Sequence, residues 1–285
     1  MKVFSIDLKE KYPFLDVEGA TSVLTAYLAH DNMEGATHPF FFVRPAMIVC
    51  PGGGYASLSG TEAEPAVLEF LRLGFNVFLL EYSTLPVRWP QALRELAATV
   101  DLIHANAKEW NIDVNRIAVS GFSAGGHLAA SYCTVRNCEE ITSVIDPKPV
   151  QAAVLGYPVI GGEPVEGFGT GHTETIRNLC GNPIMTEEVQ AKFNLDRHVS
   201  KEITPPTFMW HTCEDTYVPI NNAFSYAKAL TMAGIPFEFH VFPNGVHGQA
   251  TSDIRSNPNY RSETCKHNAV WLDLVGKWLK LQFDI

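Results

Sequence analysis

Residues 116–130 read RIAVSGFSAGGHLAA and pass from an apolar, β-branched segment into a run of small residues. At the centre is a G-x-S-x-G pattern, in which Ser123 stands between Gly121 and Gly125. In such a pattern the serine lies on a sharp bend between a strand and a helix, so the flanking positions must lack a Cβ that would clash. The bend exposes the hydroxyl at the carboxyl end of a parallel sheet. The pattern therefore predicts a nucleophilic serine at a strand-to-helix turn.

Strands and helices alternate along the chain on both sides of this turn. Runs rich in β-branched and aromatic residues predict eight strands, over 2–8, 21–30, 40–50, 76–82, 151–158, 207–213, 237–242 and the residues before Ser123. Apolar residues at helical spacing predict helices over 61–73, after Pro90, after Ser123, over 221–233 and around Trp271. The first two strands are expected to pair antiparallel at a sheet edge. The alternation predicts an α/β fold with helices on both faces of a mostly parallel eight-stranded sheet.

The length of the chain favours one large domain. It has 285 residues, of which 46% are hydrophobic, enough for a substantial core. We therefore expect a single domain over residues 1–285. A short insertion over the site is expected at about 159–206, where the alternation lapses into glycine-rich, polar sequence.

Charge and hydropathy argue against several classes of partner. The net charge is −10, and the sequence has no cluster of Lys and Arg that could follow a phosphate backbone, so a nucleic-acid partner is not expected. The first ten residues already include acidic and basic side chains, and no later apolar run approaches the length of a membrane span. We therefore expect a soluble, cytoplasmic protein without a membrane partner.

The cysteine and glycine patterns indicate no cofactor. Six cysteines lack C-x-x-C spacing, which indicates neither a zinc site nor a disulfide framework. The glycines at 52–54 and 121–126 do not have the G-x-G-x-x-G spacing of a dinucleotide site. We predict neither a metal nor an organic cofactor.

A serine hydroxyl needs a base before it can act as a nucleophile, and histidine has the pKa for that task at neutral pH. His247 follows the last predicted strand, at the same edge of the sheet as Ser123. A carboxylate must orient the histidine, and Asp215 follows the strand predicted at 207–213. Glu214 is adjacent and chemically capable, so it stays as the alternative acid. Ser123, Asp215 and His247 form the predicted catalytic triad.

Three consecutive glycines, Gly52 to Gly54, follow the strand predicted at 40–50. A simple turn is one interpretation, but three glycines exceed what turn chemistry demands and allow a ligand to approach the backbone closely. The oxyanion of an acyl-transfer reaction needs preorganised donors. We predict that the amides of Gly53, Gly54 and Ala124 form an oxyanion hole.

Other residues are placed near the site by location alone. The candidates for substrate contact are Tyr55, His172, Arg177 and Trp210. Histidines that lie within predicted strands and helices are interpreted first as packing residues, namely His104, His127, His211 and His240.

Several segments together resemble the esterase/lipase branch of the α/β-hydrolase superfamily. They are PGGGY at 51–55, GFSAGGHL at 121–128, PPTF at 205–208 with DTYVP at 215–219, and VHG at 246–248. From about residue 40 to 285 the chain is most similar to bacterial sugar esterases that resemble acetyl xylan esterases, some of them labelled xylanase-like. One departure is Pro51, which stands where hormone-sensitive-lipase relatives carry a histidine.

The resemblance implies an α/β-hydrolase fold and a serine carboxylesterase that forms an acyl-enzyme intermediate. The implied substrates are small-molecule esters with short acyl chains, including acetylated sugars or oligosaccharides. The polar, glycine-rich segment at about 159–206 agrees with a small acyl group. A serine peptidase or a lipase on the same fold would share the triad. A noncatalytic binding protein on a hydrolase scaffold usually lacks a member of it.

Overall fold

The computed structural model describes residues 1–29, 43–161, 173–182, 184 and 186–285. Within these ranges the strands form an eight-stranded sheet. They are β1 Lys2–Asp7, β2 Val23–Leu28, β3 Arg44–Cys50, β4 Asn76–Glu81, β5 Ile112–Phe122, β6 Ala152–Gly156, β7 Thr207–Thr212 and β8 Phe237–Phe242. Their order in the sheet is β1-β2-β4-β3-β5-β6-β7-β8, with β2 antiparallel to both neighbours and the other pairs parallel. The predicted sheet and its antiparallel edge pair are confirmed.

Helices cover both faces of this sheet, as predicted. They are α1 Glu64–Arg72, α2 Gln91–Ala105, α3 Ala124–Val135, α4 Glu139–Thr142, α5 Thr173–Cys180, α6 Glu187–Phe193, α7 Asn221–Ala233, α8 Glu263–Asn268 and α9 Trp271–Phe283. One apolar core includes residues of α2, α3 and α7, and a second includes residues of α1 and α9. Successive strand residues supply the two cores alternately, since Ile48 packs in the first and Met47 and Val49 in the second. None of the helices in the described ranges is both long enough and apolar enough to cross a membrane.

The site lies where the central strands end. β3 and β5 pair in parallel, with Cys50 beside Gly121. The loop after Cys50 and the turn after Phe122 therefore leave the sheet side by side. β7 and β8 pair in parallel as well, with Thr212 beside Phe242. Because the carboxyl ends of parallel strands meet at one edge, all four connections begin there.

The predicted insertion at about 159–206 falls partly outside the described residues. Its helix α5 contacts the glycine loop that follows β3, because Asn178 Nδ2 donates a hydrogen bond to the Gly54 carbonyl at 2.9 Å. The loop before α2 holds the same helix, since Arg88 donates to the Asn178 carbonyl and the Trp89 N–H donates to the Leu179 carbonyl, both at 2.8 Å. These hydrogen bonds fix α5 against both the glycine loop and the loop before α2.

Candidate active site

The turn at Ser123 joins β5 directly to α3. Ser123 has a φ of 53° and a ψ of −120°, outside the regions that L-residues usually adopt. Its N–H donates to the Gly156 carbonyl at 3.1 Å, and its carbonyl accepts from Val159 at 3.0 Å and from His127 at 3.1 Å. Backbone hydrogen bonds from the end of β6 and from α3 therefore stabilise a strained residue at the strand-to-helix bend.

The glycines beside Ser123 are required by close backbone contacts. A Cβ on Gly121 would lie 2.1 Å from the carbonyl oxygen of Gly125. A Cβ on Gly125 would lie 2.1 Å from the carbonyl oxygen of Cys50 and 2.3 Å from that of Pro51. Helix α3 thus begins in direct backbone contact with the end of β3, which fixes the serine turn against the glycine loop.

The structure brings Ser123, His247 and Asp215 together. Ser123 Oγ lies 2.9 Å from His247 Nε2, and His247 Nδ1 lies 2.6 Å from Asp215 Oδ2. Because a carboxylate only accepts hydrogen bonds, Nδ1 carries the imidazole proton and Nε2 is able to accept the serine proton. The backbone amides of Tyr217 and Val218 donate to the other carboxylate oxygen, at 3.0 and 2.8 Å. A serine hydroxyl, an imidazole and a carboxylate thus form a continuous relay of hydrogen bonds, the arrangement that nucleophilic catalysis by serine requires.

Asp215 is held in its charged form. Its side chain is fully buried, and burial alone would raise the pKa of the carboxyl. The neighbouring His211 and His247 side chains outweigh that effect and hold the pKa of Asp215 well below its ordinary value. The carboxylate is therefore ionised at neutral pH and can stabilise an imidazolium at His247.

The alternative acid, Glu214, contacts residues that precede His247 in the loop after β8. Its carboxylate accepts hydrogen bonds from Asn244 Nδ2 at 2.9 Å and from the Gly245 amide at 3.0 Å. These bonds lower the pKa of Glu214. Glu214 therefore braces the backbone just before His247, whereas Asp215 contacts the imidazole itself.

The glycine loop lies directly against the serine. Gly53 and Gly54 have φ values of 124° and 65°, which disfavour any residue with a Cβ. A Cβ on Gly52 would lie 2.8 Å from the Cβ of Ser123. Among the described residues, no hydrogen bond uses the amides of Gly53, Gly54 or Ala124 as donors. All three amides can therefore donate to a ligand.

The candidates for substrate contact fare differently. Tyr55 is 3% exposed, and its hydroxyl donates to His127 Nδ1 at 3.1 Å, so it packs beneath the glycine loop. Trp210 is fully buried in β7 and stacks on Trp271 at 5.1 Å, which makes it a core residue and corrects its proposed contact with substrate. Arg177 lies exposed on α5. His172 falls outside the described residues.

Two residues near the triad were not assigned to it from the sequence. His211 is fully buried, and its Nε2 donates to the Val218 carbonyl at 2.9 Å while lying 3.4 Å from Asp215 Oδ2. The ring of Tyr157 packs edge-on against the His247 imidazole, with the centroids 4.8 Å apart. Tyr157 directly follows β6 at the same sheet edge as the triad. Its position at the end of a predicted strand is the sequence signal that could have placed it near the site.

A resident metal has no evident ligand set in the part of the chain that the structure describes. No three His, Cys, Asp or Glu side chains come together there as ligands.

Comparison with known proteins assigns the chain to a family. Residues 42–230 match BD-FAE. The chain belongs to the BD-FAE family. A relative of the same chain, endo-1,4-beta-xylanase B of Butyrivibrio fibrisolvens, is 37% identical over 235 residues, which cover 79% of this chain and 34% of that protein. The chain thus spans about a third of the length of this curated relative.

Solved structures extend the similarity of this BD-FAE member over nearly its whole length. The carboxylesterase Cest-2923 from Lactobacillus plantarum superimposes with a TM-score of 0.78 at 26% identity, covering 99% of this chain and 98% of the other. An acetyl ester-xyloside bifunctional hydrolase from Caldicellulosiruptor lactoaceticus superimposes with a TM-score of 0.69 at 32% identity, covering 89% and 88%. Together with the sheet order, these similarities confirm the α/β-hydrolase fold and the resemblance to esterases.

Proposed function

We propose that the protein is a serine carboxylesterase. The observation that carries the proposal is the continuous relay from Ser123 Oγ through His247 to Asp215, with contacts of 2.9 and 2.6 Å. Each residue type matches its role, because the carboxylate is ionised and the histidine tautomer leaves Nε2 facing the hydroxyl. The amides of Gly53, Gly54 and Ala124 supply donors for a developing negative charge.

The reaction then runs in two halves. Ser123 Oγ attacks the ester carbonyl carbon while His247 Nε2 takes the hydroxyl proton, and the carbonyl oxygen becomes an oxyanion held by the amides of Gly53, Gly54 and Ala124. The bond to the alcohol oxygen breaks as His247 returns the proton to it. Water attacks the acyl-enzyme in the same manner, which releases the carboxylic acid and restores Ser123.

Short acyl groups on sugars are the proposed substrates. The name of the acetyl ester-xyloside bifunctional hydrolase among the similar structures supports acetyl esters of carbohydrates. Helix α5 also supports a short acyl chain, since it lies on the glycine loop with polar side chains such as Asn178. In a long apolar acyl channel, each additional methylene of the acyl chain would instead stabilise the bound ester by about 0.8 kcal/mol.

A series of p-nitrophenyl esters from acetate to octanoate tests this function. We expect the highest kcat/KM with acetate or propionate, a steep fall beyond butyrate, and release of acetate from acetylated xylo-oligosaccharides. Ser123→Ala should lower kcat by about 10⁶. Ser120→Ala is the matched control. Ser120 is buried in β5 outside the relay, so this variant should keep the activity of the parent protein.

Two outcomes would contradict the proposal. An optimum at octanoate or longer would assign the site to lipids rather than acetylated sugars. Ordinary esterase activity in purified Ser123→Ala would overturn the mechanism as a whole.

A further inference from the structure

A second buried carboxylate, Glu62, lies beside the site without belonging to the relay. It ends the short helical turn Gly60–Glu62 and is 2% exposed. Its Oε2 accepts a hydrogen bond from the Gly52 amide at 2.8 Å, and its Oε1 accepts one from the Tyr157 hydroxyl at 2.7 Å. The Tyr157 hydroxyl in turn accepts from the Ala250 amide at 2.9 Å. A chain of hydrogen bonds therefore joins the glycine loop to the loop that carries His247.

Each end of this chain of hydrogen bonds is next to a group that the proposed reaction needs. Gly52 directly precedes Gly53 and Gly54, whose amides are the proposed oxyanion donors. Ala250 lies three residues after His247, and the Tyr157 ring packs on the His247 imidazole. The Glu62 carboxylate thus links the loop of the proposed oxyanion donors to the loop of the proposed base, and these two loops come from opposite sides of β5 in the sheet.

The backbone along this chain is strained where the hydrogen bonds hold it. Tyr157 has a φ of 34° and Ala250 has a φ of 46°, both unusual for residues with a Cβ. Such conformations persist only where surrounding contacts fix them, and they cluster at functional sites. The Tyr157 hydroxyl bonds both to Glu62 and to Ala250, so the carboxylate is part of what fixes them.

The protein also contains another buried carboxylate, Glu95, whose hydrogen-bond partners lie outside the proposed site. Glu95 is fully buried in α2 and accepts hydrogen bonds from Ser22 before β2, from Ser83 after β4 and from Gln91 in its own helix. Burial raises the pKa of both Glu62 and Glu95. They differ in their partners, since only Glu62 contacts the glycine loop and Tyr157. Glu95 is therefore the matched control for any effect of losing a buried carboxylate.

We propose that Glu62 is a positioning residue that fixes the glycine loop and the His247 loop relative to each other during acyl transfer. This inference rests on the proposed serine carboxylesterase function. Placement errors of about 1 Å in a reacting group can cost about 10²-fold in rate, so the effect belongs in kcat rather than in ground-state binding.

The experiment compares Glu62→Gln, Tyr157→Phe and Glu95→Gln in the full chain. Competent sites are first counted by stoichiometric release of p-nitrophenolate from diethyl p-nitrophenyl phosphate, and kcat and KM for p-nitrophenyl acetate are then expressed per competent site. We expect Glu62→Gln to lower kcat per site by about 10²-fold with KM changed less than about threefold. Glu95→Gln should keep kcat per site, even where the thermal midpoint falls.

Tyr157→Phe removes one hydroxyl, keeps the ring, and serves where Glu62→Gln does not fold. It should also lower kcat per site, and the double variant should be no slower than the slower single one, because the two groups act as one chain. Unchanged kcat per competent site in both single variants, with only stability affected, would overturn the inference. Failure of the proposed function would look different, since the parent protein would then release no stoichiometric p-nitrophenolate.

Discussion

At the residue scale, Asp215 and Glu214 are adjacent carboxylates with different tasks. Asp215→Asn presents an amide to His247 Nδ1 and favours the wrong tautomer, so we expect kcat to fall by about 10⁴ with the fold intact. Glu214→Gln keeps an acceptor for the Gly245 amide and should cost little. Steady-state kinetics with p-nitrophenyl acetate, beside circular dichroism of both variants, measure the difference. The reverse ranking would move the acid role to Glu214.

The sequence predicts residues that follow strand ends better than it predicts inward-facing ones. Ser123, Asp215 and His247 were selected because parallel strands end at one edge, and the structure brings them within hydrogen-bond distance. Trp210 was misjudged because its side-chain direction depends on the period of β7, which turns it toward Trp271 in the second core.

The contacts of Glu62 and His211 near the site could not be predicted for a related reason. Glu62 reaches Gly52 only because the turn Gly60–Glu62 folds back over the glycine loop, a tertiary contact without a local sequence signature. His211 reads as an ordinary strand residue, and its approach to Asp215 depends on how the loop after β7 bends.

At the element scale, the start of α3 and the end of β3 meet without space for a side chain. In Gly125→Ala the new Cβ would lie 2.1 Å from the Cys50 carbonyl oxygen. The nearest atoms, the carbonyl oxygens of Cys50 and Pro51, both belong to the backbone. We therefore expect a loss of about 1–3 kcal/mol in the free energy of unfolding, together with reduced kcat. Gly60→Ala is the matched control, since nothing lies within 4 Å of its Cβ position. Urea denaturation measures both, and equal stability in the two variants would contradict the packing argument.

Long elements were predicted well, and short ones were missed. Helix α7 has the predicted bounds, 221–233, because its apolar spacing and the terminal Gly234 are both local signals. Helices α6 and α8 span only seven and six residues, too few for a periodic apolar pattern to emerge. Their caps could have revealed them, since Thr186 and Ser262 each accept a hydrogen bond from the amide three residues later.

At the scale of the whole molecule, His127 connects three separate parts of the fold. It lies on α3, its Nδ1 accepts from the Tyr55 hydroxyl below the glycine loop, and its Nε2 donates to the Phe193 carbonyl at 3.0 Å. With Nε2 as donor and Nδ1 as acceptor the ring is neutral. Burial lowers the pKa of His127 to about 4, and the hydrogen bond to the Phe193 carbonyl opposes this shift without reversing it.

This neutral histidine predicts a loss of stability in acid. In the unfolded chain a histidine titrates near pH 6.5, so between about pH 6.5 and 4 the unfolded state binds more protons than the folded state. The free energy of unfolding therefore falls as the pH falls through that window, by at most about 1.4 kcal/mol per pH unit from this residue. Urea unfolding at pH 7, 6 and 5 should give a shallower pH slope in His127→Gln than in the parent protein. His267→Gln, which alters an exposed side chain, should keep the parent slope, and the same slope in all three proteins would contradict the assignment.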